Sequence, residues 1–235
     1  MRSILSVLLF WKVDRDEYNF SSIVHTHHLL LPSDYSVSVN GCSNVANYIV
    51  DDSVEYNTLS SFYNYYDNLP KLVKYEFGSY LGPESLVIKD SGGNYISSDM
   101  LTEPDFLSNC TEETISEIKS FTDKFISNYV AYAANLNGSY YYHFMVTRDM
   151  TVPYGQLFNR LGQALGSFGY TTILSCDIIS NDINLCYEHN GCYFVDISYV
   201  TETLGRADAV QEANNIRMSI VPYNGGFRAE TMFNY

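Results

Sequence analysis

The sequence predicts an α+β fold: a mostly antiparallel sheet with two main helices, at about 111–135 and 153–168. Three observations predict it. Short apolar segments alternate at period two and are bounded by Gly, Asn and Asp turn signals, as antiparallel strands require. Two longer stretches carry apolar residues at three- and four-residue spacing, as amphipathic helices require. Hydrophobic residues make up 46% of the 235, enough to bury a core. The organisation reads as a β-rich, Tyr/Asn-rich N-terminal region over 1–80 and an α+β domain over 85–235, or as one domain spanning both.

Taken in order, Ser3–Val13 reads as a strand, 14–19 as a polar turn and Phe20–Leu31 as the returning strand. The apolar run after Arg2 has the length of a short signal segment. It leads directly into Lys12-Val13-Asp14-Arg15-Asp16-Glu17, with no small-residue cleavage site. No run approaches the ~18 apolar residues that span a bilayer, so a soluble, unprocessed chain without a membrane span is expected. Tyr35-Ser36-Val37-Ser38-Val39 alternates and stops at Asn40-Gly41. Residues 43–80 have no clean period and hold an aromatic cluster of Phe62, Tyr63, Tyr65 and Tyr66. Ser85–Lys89 and Tyr95–Ser97 flank a turn whose Gly92-Gly93 pair supplies positive φ.

The clearest helix starts at an Asn109 or Thr111 cap, with Glu112 and Glu113 in its first turn where the dipole favours them. Ile115, Ile118, Phe121, Phe125, Tyr129 and Tyr132 form its apolar stripe, and Asn137-Gly138 ends it. Tyr140–Thr147 then reads as an aromatic strand. The second helix begins near Pro153, a residue suited to a first turn, and places Leu157, Leu161, Leu165 and Phe168 on one face. Thr171–Ile179 reads as a strand, Ile183–Tyr187 and Cys192–Val200 as a hairpin about Asn190-Gly191, 203–214 as a short helix and Ile216–Tyr223 as the last strand.

Composition narrows function. Asp and Glu number 27 against 13 Lys and Arg, a net charge of −14. Direct nucleic-acid binding is therefore not expected, because it needs a basic footprint. Tyrosine, at 22, outnumbers all basic residues, and charged residues are only 17%. Tyr gives stiff, amphipathic contact area of the kind interfaces use. The five cysteines, at 42, 110, 176, 186 and 192, are odd in number and form no Cys-x-x-Cys pair. Free thiols in a reducing compartment are expected rather than a disulfide framework.

Candidate chemistry is sparse. His25 and His27 would share a strand face as two metal ligands, with His28 beside them, but no further ligands stand at recognisable spacing. Neither a metal nor a cofactor is expected. Cys42, in Asn40-Gly41-Cys42-Ser43-Asn44, could act as a nucleophile with His143 or His189, which makes a cysteine hydrolase one alternative. No phosphate-binding glycine loop occurs.

A second alternative comes from order and motif. Ser85 to Cys176 runs strand, glycine turn, strand, helix, strand, then Asp149-Met150-Thr151-Val152-Pro153-Tyr154-Gly155, an amphipathic helix, Gly169 and a closing strand. This stretch resembles the periplasmic domain of the ExbD/TolR family, whose most recognisable local signature the Asp-x-x-Val-x-Tyr-Gly run resembles. That family couples proton flow to work through an acidic residue in an N-terminal membrane helix. The sequence has no such helix, so no proton-path residue is carried over. The resemblance implies a soluble domain that binds a partner peptide or dimerises.

The reading favoured by the residues is a non-enzymatic structural or assembly protein in a larger complex, with other protein subunits as partners, as a homo-oligomer or a multi-protein assembly. A virion component fits this profile, such as a bacteriophage neck, tail or capsid-associated protein, located in the virion or the cytoplasm. The expected contacts are Tyr63, Tyr65 and Tyr66, then Tyr140, Tyr141 and Tyr142, then Phe233 and Tyr235, with strand edges satisfied across subunits. Burial of all three clusters within the chain's own core would exclude this reading.

Overall fold

Backbone pairing between strands that are distant in sequence organises most of this chain. The computed structural model describes residues 25–79, 85–97, 103–163, 173–204 and 209–235. The opening strand at 3–13 and turn at 14–19 lie outside the described residues, as do Leu165, Phe168 and Gly169 of the second expected helix. About 48% of the structure is strand and 27% helix, with three sheets of three, three and four strands and four helices among the described residues. The fold is therefore mostly β, which corrects the expected α+β fold with two main helices. Two local reversals account for much of this. Tyr140–Thr147 is helical instead of a strand, and most of 203–214 is strand instead of a helix.

The chain forms two compact units, each built from two separate segments. The described residues of the first unit are 25–55, 70–79 and 85–97. Its strands are β1 (His25–Pro32), β2 (Ser36–Val39), β3 (Ile49–Glu55), β4 (Lys71–Ser79), β5 (Leu86–Lys89) and β6 (Tyr95–Ile96). They pair antiparallel in the orders β1-β4-β3 and β2-β5-β6. Leu31, Leu72, Tyr75 and Phe77 are buried there, and the Tyr75 and Phe77 rings stack with centroids 5.9 Å apart.

The described residues of the second unit are 56–69, 103–163, 173–204 and 209–235. Its helices are α1 (Glu103–Leu107), α2 (Glu112–Ala133), α3 (Tyr140–Asp149) and α4 (Gln156–Gln163). Its strands are β7 (Ser175–His189), β8 (Cys192–Leu204), β9 (Ala209–Tyr223) and β10 (Gly226–Asn234), in the antiparallel order β10-β9-β8-β7. Two Asn-Gly turns close the outer hairpins. Asn190-Gly191 and Asn224-Gly225 all have positive φ, the requirement of a type I′ turn that matches strand twist.

Residues on this sheet alternate between two covered faces. On one, Val195, Ile197, Met218 and Ile220 meet Ile118, Phe125 and Tyr132 of α2, Phe144 of α3 and Leu157 of α4. Thr111 caps α2 by accepting a hydrogen bond from the Thr114 amide at 3.2 Å. On the other face, the 56–69 segment inserts Phe62, whose ring lies 4.9 Å from that of Phe194 and 5.6 Å from that of Phe233. Tyr66 packs edge-on to Phe194 at 4.9 Å. Full burial of Phe62 and Phe194 stabilises the fold by roughly 1.5–3 kcal/mol each.

The unit's own chain occupies points along both sheet edges. At β7 the Asn109 amide bonds Glu188 in both directions, donating to its carbonyl at 2.9 Å and accepting from its N–H at 2.8 Å. The Lys119 ammonium donates to the Asn181 carbonyl. At β10 the Val152 N–H donates to the Ala229 carbonyl, the Ala229 N–H donates to the Met150 carbonyl, and Arg160 donates to the Met232 carbonyl. Register shifts on β7, at Ile178/Ser180 and Ile183/Leu185, further blunt that edge. At these positions the groups an incoming strand would use are taken, contrary to the expectation of edge pairing across subunits.

Candidate functional site

The most unusual local geometry lies between α3 and α4. Val152-Pro153-Tyr154-Gly155 forms a turn closed by a 3.0 Å hydrogen bond from the Gly155 N–H to the Val152 carbonyl. Proline stands at its second position and a positive φ at its third, the pattern of a type II turn. That third position normally takes Gly or Asn. Here it is Tyr154, at φ 61°. A bulky side chain in the left-handed region costs roughly 1–2 kcal/mol. Gly155 is also constrained, because a Cβ there would approach the Val152 carbonyl oxygen to 3.0 Å.

The strain places an aromatic ring in solvent. Tyr154 is 84% exposed, with its ring centroid 5.5 Å from that of Phe158. Phe158 in turn carries the Arg148 guanidinium 3.8 Å above its ring. The same guanidinium lies 5.6 Å from Phe144, whose ring is 6.2 Å from Tyr141. Tyr141 and Tyr142 are exposed at the start of α3. A row of rings therefore runs from α3 across the turn to α4, with one cation in the middle. The buried Nε of Arg148 has no hydrogen-bond partner among the described residues. Phe144 belongs to the core, and the row opens to solvent at its tyrosines, Tyr141, Tyr142 and Tyr154, the residue type that interfaces favour.

The sequence-predicted residues fall in two places. Tyr140, Tyr141 and Tyr142 belong to this surface, although on a helix rather than a strand. Tyr63, Tyr65, Tyr66, Phe233 and Tyr235 lie over the opposite face of the four-stranded sheet. There Tyr65 is half exposed, with its ring 5.3 Å from Phe233, and Tyr63 accepts a hydrogen bond from the Tyr56 N–H at 3.0 Å. Tyr66 is drawn inward, its hydroxyl 2.5 Å from Ser219 Oγ and 2.7 Å from Glu230 Oε2. Burial pushes its phenol well above the ordinary range. The three clusters are thus not all buried within the core. Sequence reasoning missed Tyr154, Phe158 and Arg148, although the Pro-Tyr-Gly signal of a strained turn was legible.

A concavity lies beside the C-terminal end of α2. The end of α2 and strands β8 and β9 line a groove of about 500 Å³, with Tyr129, Asn135, Tyr199, Thr201, Glu212 and Asn214 among its residues. Asn135 holds a left-handed conformation at φ 49°, and its buried Oδ1 has no partner among the described residues. Burial pushes the Tyr199 phenol up to about 12.

The other candidates stand apart. Cys42 is exposed in a turn, its sulfur 4.0 Å from the Asn44 carbonyl, while His143 lies on α3 and His189 ends β7. The His25 side chain lies outside the described residues. His28 lies 3.6 Å from Glu76. Among the described residues no group of three or more His, Cys, Asp or Glu side chains could hold a metal ion, and no helix is long and apolar enough to cross a membrane.

No protein-family model matches the chain, and no curated protein matches it. Among solved structures it is similar to an "Ntf2 like protein involved in plasmid conjugation", at 12% identity over 75% of this chain, with a TM-score of 0.32. The chain spans 64% of that protein's length. A similarity this low fixes neither fold nor function.

Proposed function

We propose that this chain is a non-enzymatic assembly protein that docks onto other protein subunits through the aromatic surface of α3, the Val152–Gly155 turn and α4. The observation that carries the reading is Tyr154. A residue that strains its own backbone yet leaves 84% of its surface in solvent gains little from its own fold. Strain of this kind concentrates at sites selected for function rather than stability. The neighbours fit the same reading, since Tyr and Arg dominate the energetics of protein interfaces. The composition supports it too, with 22 Tyr against 13 Lys and Arg.

Light scattering across protein concentration, together with crosslinking in the native host, tests this reading on the wild type and on Tyr154→Gly. Loss of self-association or of specific crosslinked neighbours in the variant, with the fold retained, is expected. A chain that stays monomeric at high concentration, with the same neighbours for both proteins, overturns the proposal. Its narrower form is a virion subunit, of a bacteriophage neck, tail or capsid. Composition alone supports that form, and electron microscopy of the native complex is its test.

A further inference from the structure

We infer that Cys110 and Cys186 are a disulfide-forming pair that joins the start of α2 to strand β7. Their sulfurs lie 3.2 Å apart, with the Cys186 thiol donating to Cys110. Both are free thiols in the structure. Among the described residues no other two thiols lie within hydrogen-bonding reach of each other.

The pair is held by more than its own contact. Cys110 follows Asn109, whose amide makes the two hydrogen bonds to the Glu188 backbone. Glu188 lies two residues beyond Cys186, on the same side of the strand. On its other side, Cys110 precedes Thr111, which the Thr114 amide fixes as the cap of α2. Both backbones are thus tied within two residues of the sulfurs. A disulfide bond is about 2.05 Å long, so the sulfurs need to approach by only about 1.2 Å.

The exposure of the two thiols sets the order of events. Burial raises both thiols above their ordinary value, Cys186 much more than Cys110. Cys110 is half-buried and Cys186 buried. With a small-molecule disulfide such as oxidised glutathione, the Cys110 thiolate attacks first and releases one glutathione thiolate. The Cys186 thiolate then attacks the Cys110 sulfur of the mixed disulfide and displaces the second. The two protein thiols are oxidised, one glutathione disulfide is reduced, and the two protons from the protein end on the two glutathione molecules. Because thiolates are scarce at both positions, the link forms slowly; once made, it is slow to reduce, because Cys186 is buried and both sulfurs are poor leaving groups.

The test is to incubate the reduced full-length protein with oxidised glutathione, count free thiols and map the linked peptides by mass spectrometry. The expected result is a single Cys110–Cys186 link that removes two of the five thiols, with glutathione adducts confined to other accessible positions such as the exposed Cys42, and a rise in melting temperature of roughly 5–15 °C. In Cys186→Ala, Cys110 should stop at one glutathione adduct. In Cys110→Ser, the link should be absent, and this half-buried position keeps the test valid if Cys186→Ala fails to fold. Cys110 and Cys186 both still free after prolonged oxidation overturn the inference. So does a different linked pair, or wild-type protein that accumulates glutathione on Cys110 without closing.

Discussion

Arg217 and Tyr235 are stacked, with the guanidinium carbon 4.1 Å from the centre of the ring, and both close on one carboxylate. Arg217 Nε donates to Asp196 at 3.3 Å, while the Tyr235 hydroxyl lies 2.6 and 2.7 Å from its two oxygens. Arg217 also donates to Ser60 Oγ at 3.0 Å. The Asp196 and Arg217 side chains are each only 8% exposed. A pair this buried is costly to break from one side, because the survivor keeps its charge out of water. Asp196→Ala should therefore destabilise the second unit by about 3–5 kcal/mol, and Tyr235→Phe, which keeps the ring, by about 1 kcal/mol. Chemical denaturation of both variants checks the ranking.

Stability should fall at alkaline pH. Burial pushes the Tyr132 and Tyr199 phenols up to about 12. Tyr235 also reaches about 12, through burial and its hydrogen bond to Asp196. In the unfolded chain these groups ionise near 10. Below pH 10 both states are protonated and the full stability is present. Between about 10 and 12 the unfolded chain loses its protons first, and stability declines. Tyrosinate absorbance and circular dichroism, followed together against pH, should show a late-titrating set that ionises as the fold is lost. A single class of tyrosines ionising near pH 10 with the fold intact contradicts this.

Tyr154→Gly should stabilise the protein while removing its docking function. The variant relieves left-handed strain of roughly 1–2 kcal/mol, offset in part by the added freedom of glycine when unfolded. A net gain of up to about 1 kcal/mol is expected in a denaturation curve. Equal or lower stability would mean that the turn is not strained.

Asn109→Ala should loosen an edge. It removes both hydrogen bonds to Glu188, at a cost of about 1–2 kcal/mol. Faster amide exchange at Glu188, with α2 unchanged, is the expected signature.

Local signals carried part of this architecture. The Thr111 cap, the acidic first turn and the apolar stripe mark α2 without reference to anything distant, and Asn190-Gly191 marks its hairpin. Asn224-Gly225 carries the same signal for β9–β10, although the sequence reading ends at Ile216–Tyr223 as its last strand. Where the reading failed, distant contacts decided. Tyr140–Thr147 has the aromatic content of a strand, yet Phe144 and Thr147 are buried three residues apart, a helical spacing. The 203–214 segment contains Ala and Glu that favour helix, but pairing of Thr201 with Glu212 and of Thr203 with Val210 extends the strands. Residues 56–69 show no period because Phe62 is placed by Phe194 and Phe233, far along the chain. The docking surface was half legible: three consecutive tyrosines stand out, whereas Arg148 and Phe158 come together only when α3 and α4 are packed.

The Phe62 segment also imposes a timetable. Its partners Phe194 and Phe233 are synthesised about 130 and 170 residues later. At ribosomal speeds of about 5–20 residues per second, Phe62, Tyr65 and Tyr66 wait on the order of ten seconds for the sheet they cover. During that interval three aromatic side chains are without their final cover. A nascent chain of this protein should therefore hold chaperones longest while residues 56–69 are out and β8 is not, and release them as the last hairpin emerges.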